Sequence, residues 1–305
     1  MGRALVILLV ALVLLGGLFV AKRMGDQNGG PQSQEMVALD PERIQRMEIV
    51  RPEGPITLEK GAGGWRLTAP IDAPADPDQV TGTVRTMATL VSNGVISRNP
   101  GKAATFEVDA AHGIRLNLFY AGDTEPRASV VVGKLAPGFT HTYATLSGSA
   151  EVHRVVGPLR YPLQREPGQW RDRAVVRLDP ARVTRVAFAG RKPLTLDKGA
   201  DGWTPAGGGA PVPDAVVQPA LAFLTGLKAQ SFIDDPVEAV AKPLLTVSLW
   251  TEGEAKPVDL VVETESAGAY RVVTGTDPRR YLVFGTLIQE LIDDPARALA
   301  LPAAP

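Results

Sequence analysis

Short alternating runs dominate the hydrophobic pattern of the chain. Ile114, Leu116, Leu118 and Tyr120 are apolar at every second position, which predicts a strand with one face buried and one face wet. The 31 Gly and 26 Pro residues favour many turns between short strands over long helices. The other predicted strands are 46–50, 56–60, 65–67, 95–97, 129–133, 142–146, 152–155, 185–188, 194–198, 230–233, 245–250, 258–262, 270–273 and 281–284.

Helical periodicity, with apolar residues three and four apart, occurs after two aspartates. Asp76-Pro77 predicts a capped helix start, because Asp accepts from free N–H groups and Pro suits the first helical position. Asp214 precedes a second stripe, but Pro219 predicts that its regular helix begins later. The two stripes are Val80, Val84, Met87, Leu90 and Val91, then Val217, Leu221, Leu224 and Leu227.

The pattern occurs twice along the chain. Residues 39–60 read LDPERIQRMEIVRPEGPITLEK, and residues 178–198 read LDPARVTRVAFAGRKPLTLDK. Each run continues through a Gly-rich turn into a tryptophan, Trp65 or Trp203, at an offset of 138 residues. We therefore predict an α+β protein with two tandem copies of an antiparallel-sheet domain and a few short helices, preceded by one transmembrane helix. The predicted boundaries are 1–3 (head), 4–21 (anchor), 22–37 (flexible tether), 38–165 (copy one), 166–177 (connector), 178–300 (copy two) and 301–305 (tail).

The N-terminal run Ala4–Ala21 contains eighteen residues without a polar or charged side chain, enough to cross a bilayer. A cleaved signal peptide is the alternative, but its apolar part is usually about 7–15 residues long and ends in small residues. Phe19 is bulky at that place, so an uncleaved anchor is favoured. Arg3 faces Lys22 and Arg23 across the run, and positive charge hardly decides orientation. The short head favours an inner-membrane protein with its bulk on the periplasmic side.

Composition narrows the function classes. The net charge of −1 and the pI near 6.3 provide no basic field for nucleic acid, so no nucleic-acid partner is predicted. The chain has no cysteine, which excludes disulfides, thiol catalysis and thiolate metal sites. No catalytic residue, cofactor or metal site is predicted, because the glycines at 61–64 indicate a hairpin turn, the three histidines are scattered, and the aspartates suit helix caps.

The segment 154–177 is rich in arginine and carries two aromatic residues, Tyr161 and Trp170. It is either an inter-domain connector with solvated arginines or a docking surface for an acidic partner or lipid headgroups. The candidate partner-binding residues are Arg160, Arg165, Trp170, Arg171 and Arg173.

The chain resembles a bacterial family known as domain of unknown function 4340. The likeness lies in the apolar N-terminus, in the path from the first hairpin through Trp65 and Pro70 to Asp76, and in Arg171-Asp172-Arg173 before Leu178-Asp179-Pro180. Members resemble envelope proteins encoded beside ABC transporters of the gliding-motility type. The resemblance implies a non-catalytic accessory component with ABC transporter subunits as partners and the membrane bound through Ala4–Ala21. Two alternatives stay open: an envelope hydrolase with a carboxylate pair, and a ligand-binding module with its site between the repeats.

Overall fold

A computed structural model describes residues 33–234, 240–275 and 277–301 of the chain. The chain divides into two compact units, Met1–Asp172 and Arg173–Pro305. Each described unit is built on a mostly antiparallel sheet with a few short helices, as the hydrophobic pattern predicts. The predicted anchor at Ala4–Ala21 lies outside the described residues. Among the residues that are described, no helix is long and apolar enough to cross a membrane.

The sheet of the first unit has ten strands in the order β1-β6-β10-β9-β8-β7-β2-β3-β4-β5. The strands are β1 (Gln34–Glu35), β2 (Ile44–Val50), β3 (Ile56–Gly61), β4 (Gly64–Ala69), β5 (Ala73–Pro74), β6 (Val91–Ser97), β7 (Ile114–Tyr120), β8 (Ala128–Leu135), β9 (His141–Leu146) and β10 (Val152–Val156). The helices are α1 (Pro77–Ala88), α2 (Ala103–Phe106) and α3 (Arg160–Leu163), with 3₁₀ turns at Pro41–Arg43, Pro100–Lys102 and Pro167–Trp170.

Helix α1 begins where the sequence predicts. The Asp76 carboxylate accepts hydrogen bonds from the N–H groups of Asp78 and Gln79, both at 3.0 Å, and thereby satisfies two free donors of the first turn. The helix ends at Ala88, earlier than the apolar stripe suggests. Leu90 follows the helix and is still buried in the core, and Val91 is the first residue of strand β6. The apolar stripe therefore continues past the end of the helix.

The main core of the first unit lies between α1 and one face of the sheet. Met47, Leu58 and Leu116 are fully buried from the strands, and Met87 is fully buried from the helix. Trp65, which follows the hairpin turn, is 6% exposed and packs in this core. A second, smaller cluster fills the opposite face of the sheet. It consists of Val108, Val131 and Val152 with Ala103, Phe106 and Tyr143 packed against them.

The sheet of the second unit has eight strands in the order β13-β12-β11-β15-β16-β17-β18-β14. The strands are β11 (Val183–Ala189), β12 (Leu194–Gly199), β13 (Gly202–Pro205), β14 (Ser231–Ile233), β15 (Leu245–Thr251), β16 (Val258–Ser266), β17 (Ala269–Thr274) and β18 (Asp277–Phe284). The helices are α4 (Asp214–Thr225), α5 (Thr286–Asp293) and α6 (Pro295–Ala298), and a 3₁₀ turn covers Pro180–Arg182.

Helix α4 corrects the expectation for Pro219. The helix starts at Asp214 and contains Pro219 in its second turn, so the late start is wrong. The missing N–H of a proline removes one hydrogen bond, and burial of the apolar face offsets that loss. Val217, Leu221 and Leu224 from this face are buried in the core with fully buried Trp203.

The strand orders of the two sheets correspond. Read in reverse, the order of the second sheet is β14-β18-β17-β16-β15-β11-β12-β13. These eight strands correspond, one by one, to β6-β10-β9-β8-β7-β2-β3-β4 of the first sheet. All of these neighbouring pairs are antiparallel. The first sheet adds the two-residue strands β1 and β5 at its two edges.

Candidate functional site: an arginine cleft in the first unit

A cleft of about 370 Å³ lies in the first unit beside the start of α3. It is formed by the loop after β2, by the segment between α2 and β7, and by α3 with the residues that follow it. The charged or titratable side chains that line it are Arg51, Glu53, Glu107, His112, Arg160 and Glu166. The cleft therefore holds one of the predicted partner-binding residues, Arg160.

Arg51 forms the floor of the cleft and has a side chain that is only 5% exposed. Its Nη1 donates to the carbonyl oxygens of Gln164 at 3.1 Å and Arg165 at 2.9 Å, just after helix α3. Its Nη2 lies 3.5 Å from the Glu166 carboxylate. A cation at a helix C-terminus satisfies carbonyls that have no partner within the helix, so Arg51 holds α3 and the segment after it against the sheet.

Arg160 closes the cleft from α3. Its Nη2 donates to the carbonyl oxygen of His112 at 2.9 Å, and its Nη1 lies 3.5 Å from the Glu107 carboxylate. His112 in turn contacts Asp109 at 2.9 Å through Nδ1. This hydrogen bond, with backbone N–H groups of the same turn, lowers the pKa of the Asp109 carboxyl below its ordinary value. The arginines and carboxylates of the cleft are thus neutralised in pairs.

The predicted docking residues fall into separate environments. Arg165 is half-buried, with its guanidinium carbon 5.3 Å from the centre of the Trp170 ring. Trp170 is fully buried in the main core of the first unit. Arg171 is 4% exposed and forms an antiparallel bridge with Ala75. Arg173 is exposed and belongs to the second unit, where its carbonyl oxygen accepts from the N–H of Ala229.

These positions narrow the accessible part of the predicted surface. Trp170 and Arg171 present almost no side-chain surface, and packing within the first unit accounts for both residues. Residues 166–172 therefore do not form a chain of solvated arginines, because a tryptophan anchors them in the core. Arg160, Arg165 and Arg173 remain within reach of solvent, and the prediction that this segment binds a partner stays a prediction.

The second unit has a cleft at the matching place in its sheet. In the first unit Val50 at the end of β2 pairs with Arg115 of β7, and in the second unit Ala189 at the end of β11 pairs with Thr246 of β15. A cleft of about 610 Å³ lies there, and its basic side chains are Arg191 and Lys242. Arg191 contacts Asp293 near the end of helix α5 at 3.1 Å. Both units thus place a basic residue against the C-terminal part of the helix that follows the last strand of the unit along the chain.

The glycines and aspartates that the sequence singles out have structural roles. The glycines at 61–64 connect β3 to β4, and Gly64 takes a positive φ of 97°, as a hairpin turn requires. Asp72 pairs with Arg66, and Asp294 accepts from the N–H of Arg297 at the start of α6. Within the described ranges, no group of three or more metal-ligating side chains is present.

Two buried charged residues have no local signal in the sequence. Arg51 follows a strand within a turn-forming sequence and carries no local sign of burial. Glu263 is 6% exposed in β16 and contacts Arg271 at 2.7 Å and Arg280 at 3.2 Å. A hydrolytic carboxylate pair needs two carboxyls in one cleft. The carboxylate of Glu263 contacts two arginines, whereas the first cleft holds three glutamates, each within ion-pair distance of Arg51 or Arg160. Only the pairing of β16, β17 and β18 brings Glu263, Arg271 and Arg280 together.

Taken together, the structure defines an antiparallel-sheet protein of two units, each with a cleft that contains basic side chains. In the first unit these lie beside three glutamates. Residues 65–261 match the family described as domain of unknown function (DUF4340), so the chain belongs to that family. No curated protein and no solved structure matches the chain.

Proposed function

We propose that the protein is a non-catalytic, membrane-anchored accessory component of an ABC-transporter-associated complex, with both units on the periplasmic side of the inner membrane. The apolar run Ala4–Ala21 and the polar residues after it support the anchor and the location. The family resemblance supports the transporter partner.

A binding role is supported by the way in which the charged side chains of the first cleft are held by hydrogen bonds and ion pairs. Arg51 is committed to main-chain carbonyls, and Arg160 is held between the His112 carbonyl and Glu107. Groups held in this way stabilise a loop arrangement and offer a fixed surface, which suits docking better than proton transfer.

We also propose that the two units descend from one duplicated domain. The repeated sequence at 39–60 and 178–198 and the corresponding order of eight strands support this origin. A superposition of experimental structures of the two units tests it, since related copies should align Trp65 with Trp203. Unrelated paths of the chain around these tryptophans would contradict it.

Co-purification from detergent-solubilised membranes tests the partner. The double charge reversal Arg165→Glu with Arg173→Glu should remove the transporter subunits from the purified complex and leave the melting temperature nearly unchanged. Arg171 is excluded from this variant, because an acidic side chain at a 4% exposed site would disturb folding.

Arg85→Glu with Arg98→Glu is the matched control, because both side chains are more than half exposed and lie elsewhere on the first unit. Equal recovery of the transporter with both double variants would contradict a docking role for the arginine segment. Recovery of the protein without any transporter subunit in the wild type would contradict the complex itself.

A further inference from the structure

Three large apolar side chains are exposed on segments whose backbones meet at one end of the first sheet. Phe139 and Tyr161 are each 76% exposed, and Val156 is 50% exposed. Phe139 lies at the tip of the β8–β9 hairpin, Val156 ends β10, and Tyr161 lies in α3. The backbone ties these places together, because the N–H of Gly157 donates to the carbonyl of Thr140 at 2.8 Å. We call Phe139, Val156 and Tyr161 the apolar tip.

The backbone at Phe139 is held in an unfavourable conformation. Its φ of 59° lies in the left-handed region, which bulky residues rarely adopt, and it follows Gly138 with a φ of 88°. A glycine or asparagine would satisfy this turn at lower cost. The turn nevertheless presents an aromatic ring to solvent, and this points to contact with an apolar phase.

The segments that carry the apolar tip contain basic residues, and acidic residues occur only directly beside them, at Glu151 and Glu166. Residues 134–141 read KLAPGFTH, and residues 152–165 read VHRVVGPLRYPLQR. Their Lys and Arg residues are Lys134, Arg154, Arg160 and Arg165. Exposed aromatic residues next to Lys and Arg are the composition of protein surfaces that rest on anionic lipid.

The second unit shares only part of this surface at the matching places. Phe284, which corresponds to Val156, is also 50% exposed. However, the β16–β17 hairpin has Ala267 and Gly268 at its tip in place of an aromatic residue, and it carries the exposed Glu265. Helix α5 carries Glu290 and ends at Asp293. An anionic surface would repel Glu265 and Glu290, so the hairpin and the helix favour a bilayer only in the first unit.

The length of chain before the first unit is consistent with contact. Residues 22–32 separate the apolar run from the described part of the chain, and a link of that length spans at most roughly 40 Å even when fully extended. If Ala4–Ala21 is in the bilayer, the first unit is held close to the headgroups. The local concentration of lipid is then high, and weak contacts suffice for docking.

We propose that the apolar tip docks the first unit onto the anionic surface of the membrane, with Phe139, Val156 and Tyr161 at headgroup level. The neighbouring basic residues that are not held in the cleft, Lys134, Arg154 and Arg165, then face lipid phosphates. This inference rests on the proposed anchor. Its consequence is a fixed orientation of the first unit, in which the arginine segment around Arg165 lies near the membrane plane, where a transporter partner would lie.

The experiment uses the absence of cysteine, because a single introduced cysteine can be labelled with an environment-sensitive fluorophore in the full chain. Thr140→Cys places the label beside Phe139 and keeps all three residues of the apolar tip. Ser266→Cys places it on the matching hairpin of the second unit, where the side chain is also exposed. Both proteins are reconstituted into phosphatidylcholine vesicles with and without phosphatidylglycerol, and nitroxide-bearing lipids serve as quenchers.

Docking predicts a blue-shifted emission and quenching by the lipid nitroxides at position 140, both stronger with phosphatidylglycerol, and neither at position 266. Adding Phe139→Ser and Tyr161→Ser to the Thr140→Cys protein should abolish both signals. The vesicles are also washed at alkaline pH, so that retention of the chain is measured in the same sample.

If the protein remains with the vesicles but the label at position 140 is as exposed to water as the label at position 266, docking is overturned and the anchor is not. Protein that does not remain with the vesicles would overturn both. A label at 140 that is shielded from water but not quenched by the lipid nitroxides would show that protein covers the apolar tip, which also overturns the inference.

Discussion

The two units fill the same face of the same strands with opposite chemistry. The strand registers place Val132 opposite Ile114 and Ala144, and Val262 opposite Leu245 and Val272. With Val132 and Val262 taken as equivalent, three pairs of neighbouring residues on the opposite face of the two sheets also correspond. The pairs are Gly133 with Glu263, Tyr143 with Arg271, and Val152 with Arg280.

In the first unit the segment before β7 covers this face. Phe106 packs against Tyr143 with ring centres 4.8 Å apart, and Val108 packs with Val152. Gly133 permits the close approach, because an added Cβ would overlap the carbonyl oxygen of Phe106. A covered face can exclude water, so an apolar cluster is stable there.

In the second unit the same positions hold Glu263 between Arg271 and Arg280. Coulomb attraction and hydrogen bonds to the two arginines offset the hydration that this buried carboxylate loses. The comparison teaches that strand order and register do not dictate the chemistry of a face.

The largest expected effect comes from removing the central charge of the ionic face. Glu263→Gln should lower the free energy of unfolding of the second unit by about 3–5 kcal/mol, because it removes the charge that both Arg271 and Arg280 contact. Denaturant unfolding of the full chain measures this loss.

Replacing all three ionic side chains by apolar or aromatic ones extends the same test. Glu263→Leu with Arg271→Tyr and Arg280→Val should recover most of the stability, since buried ion groups are often replaced by apolar side chains at little cost. A loss under about 1 kcal/mol for Glu263→Gln alone would show that water reaches this face and that the contrast between the units is wrong.

The basic residues at the two helix ends provide the next contrast. Arg51→Ala should cost roughly 1.5–3 kcal/mol, because two main-chain carbonyls lose a buried charged donor. Arg191→Ala should cost at most about 1 kcal/mol, because its ion pair with Asp293 is more than half exposed on the arginine side. Urea titrations of both variants measure the difference, and equal losses would break the contrast. Arg51→Lys keeps the charge but lacks the several N–H donors of the guanidinium group. Its loss of stability should therefore lie between that of Arg51→Ala and that of Arg191→Ala.

Close packing of the covered face predicts a smaller effect at Gly133. Gly133→Ala should destabilise the first unit by about 1–3 kcal/mol through overpacking against Phe106 and Val108. Gly82→Ala in α1 is the control, because nothing lies within 4 Å of an added Cβ, and helix propensity predicts a small gain. Thermal unfolding of both variants measures the effect. If Gly133→Ala leaves the melting temperature unchanged, the segment before β7 can move enough to accommodate the added methyl group.

The smallest effect concerns pH at a position where only the first unit has a side chain that ordinarily titrates near neutral pH. His153 occupies the place of Tyr281, and burial lowers its pKa below the ordinary histidine value, with Glu151 opposing and Arg98 assisting. The folded state therefore binds this proton less readily than the unfolded chain. Stability from this residue is complete above the unfolded pKa of about 6.5 and declines as pH falls below it.

Two measurements check the histidine. An NMR titration of the imidazole protons should give a midpoint below that of a histidine in an unstructured peptide. The melting temperature of His153→Gln should fall less than that of the wild type between neutral and mildly acidic pH. A midpoint above that of the peptide would mean that Glu151, at 3.7 Å from the ring, outweighs burial.

Much of the local structure was predictable because its causes are local. The cap at Asp76, the turn at 61–64 and the burial of Trp65 and Trp203 follow from residue type and periodicity over a few neighbours. The candidate site was predictable only in part. Arg160 was found by composition, whereas Arg51 was missed, because its carbonyl partners lie more than one hundred residues away in the chain.

The sequence by itself determined the antiparallel strands, the short helices and the faces that each turns to its core, since side-chain alternation fixes a face without reference to distant residues. Only the tertiary structure decided that Trp170 and Arg171 belong to a packed unit, that Glu263 meets two arginines, and that Phe139, Val156 and Tyr161 share one exposed end. Each of these depends on strand pairing or chain packing between separate segments, which the alternation within one segment does not specify. The free energy of such contacts resides in the assembled sheet and not in any single segment.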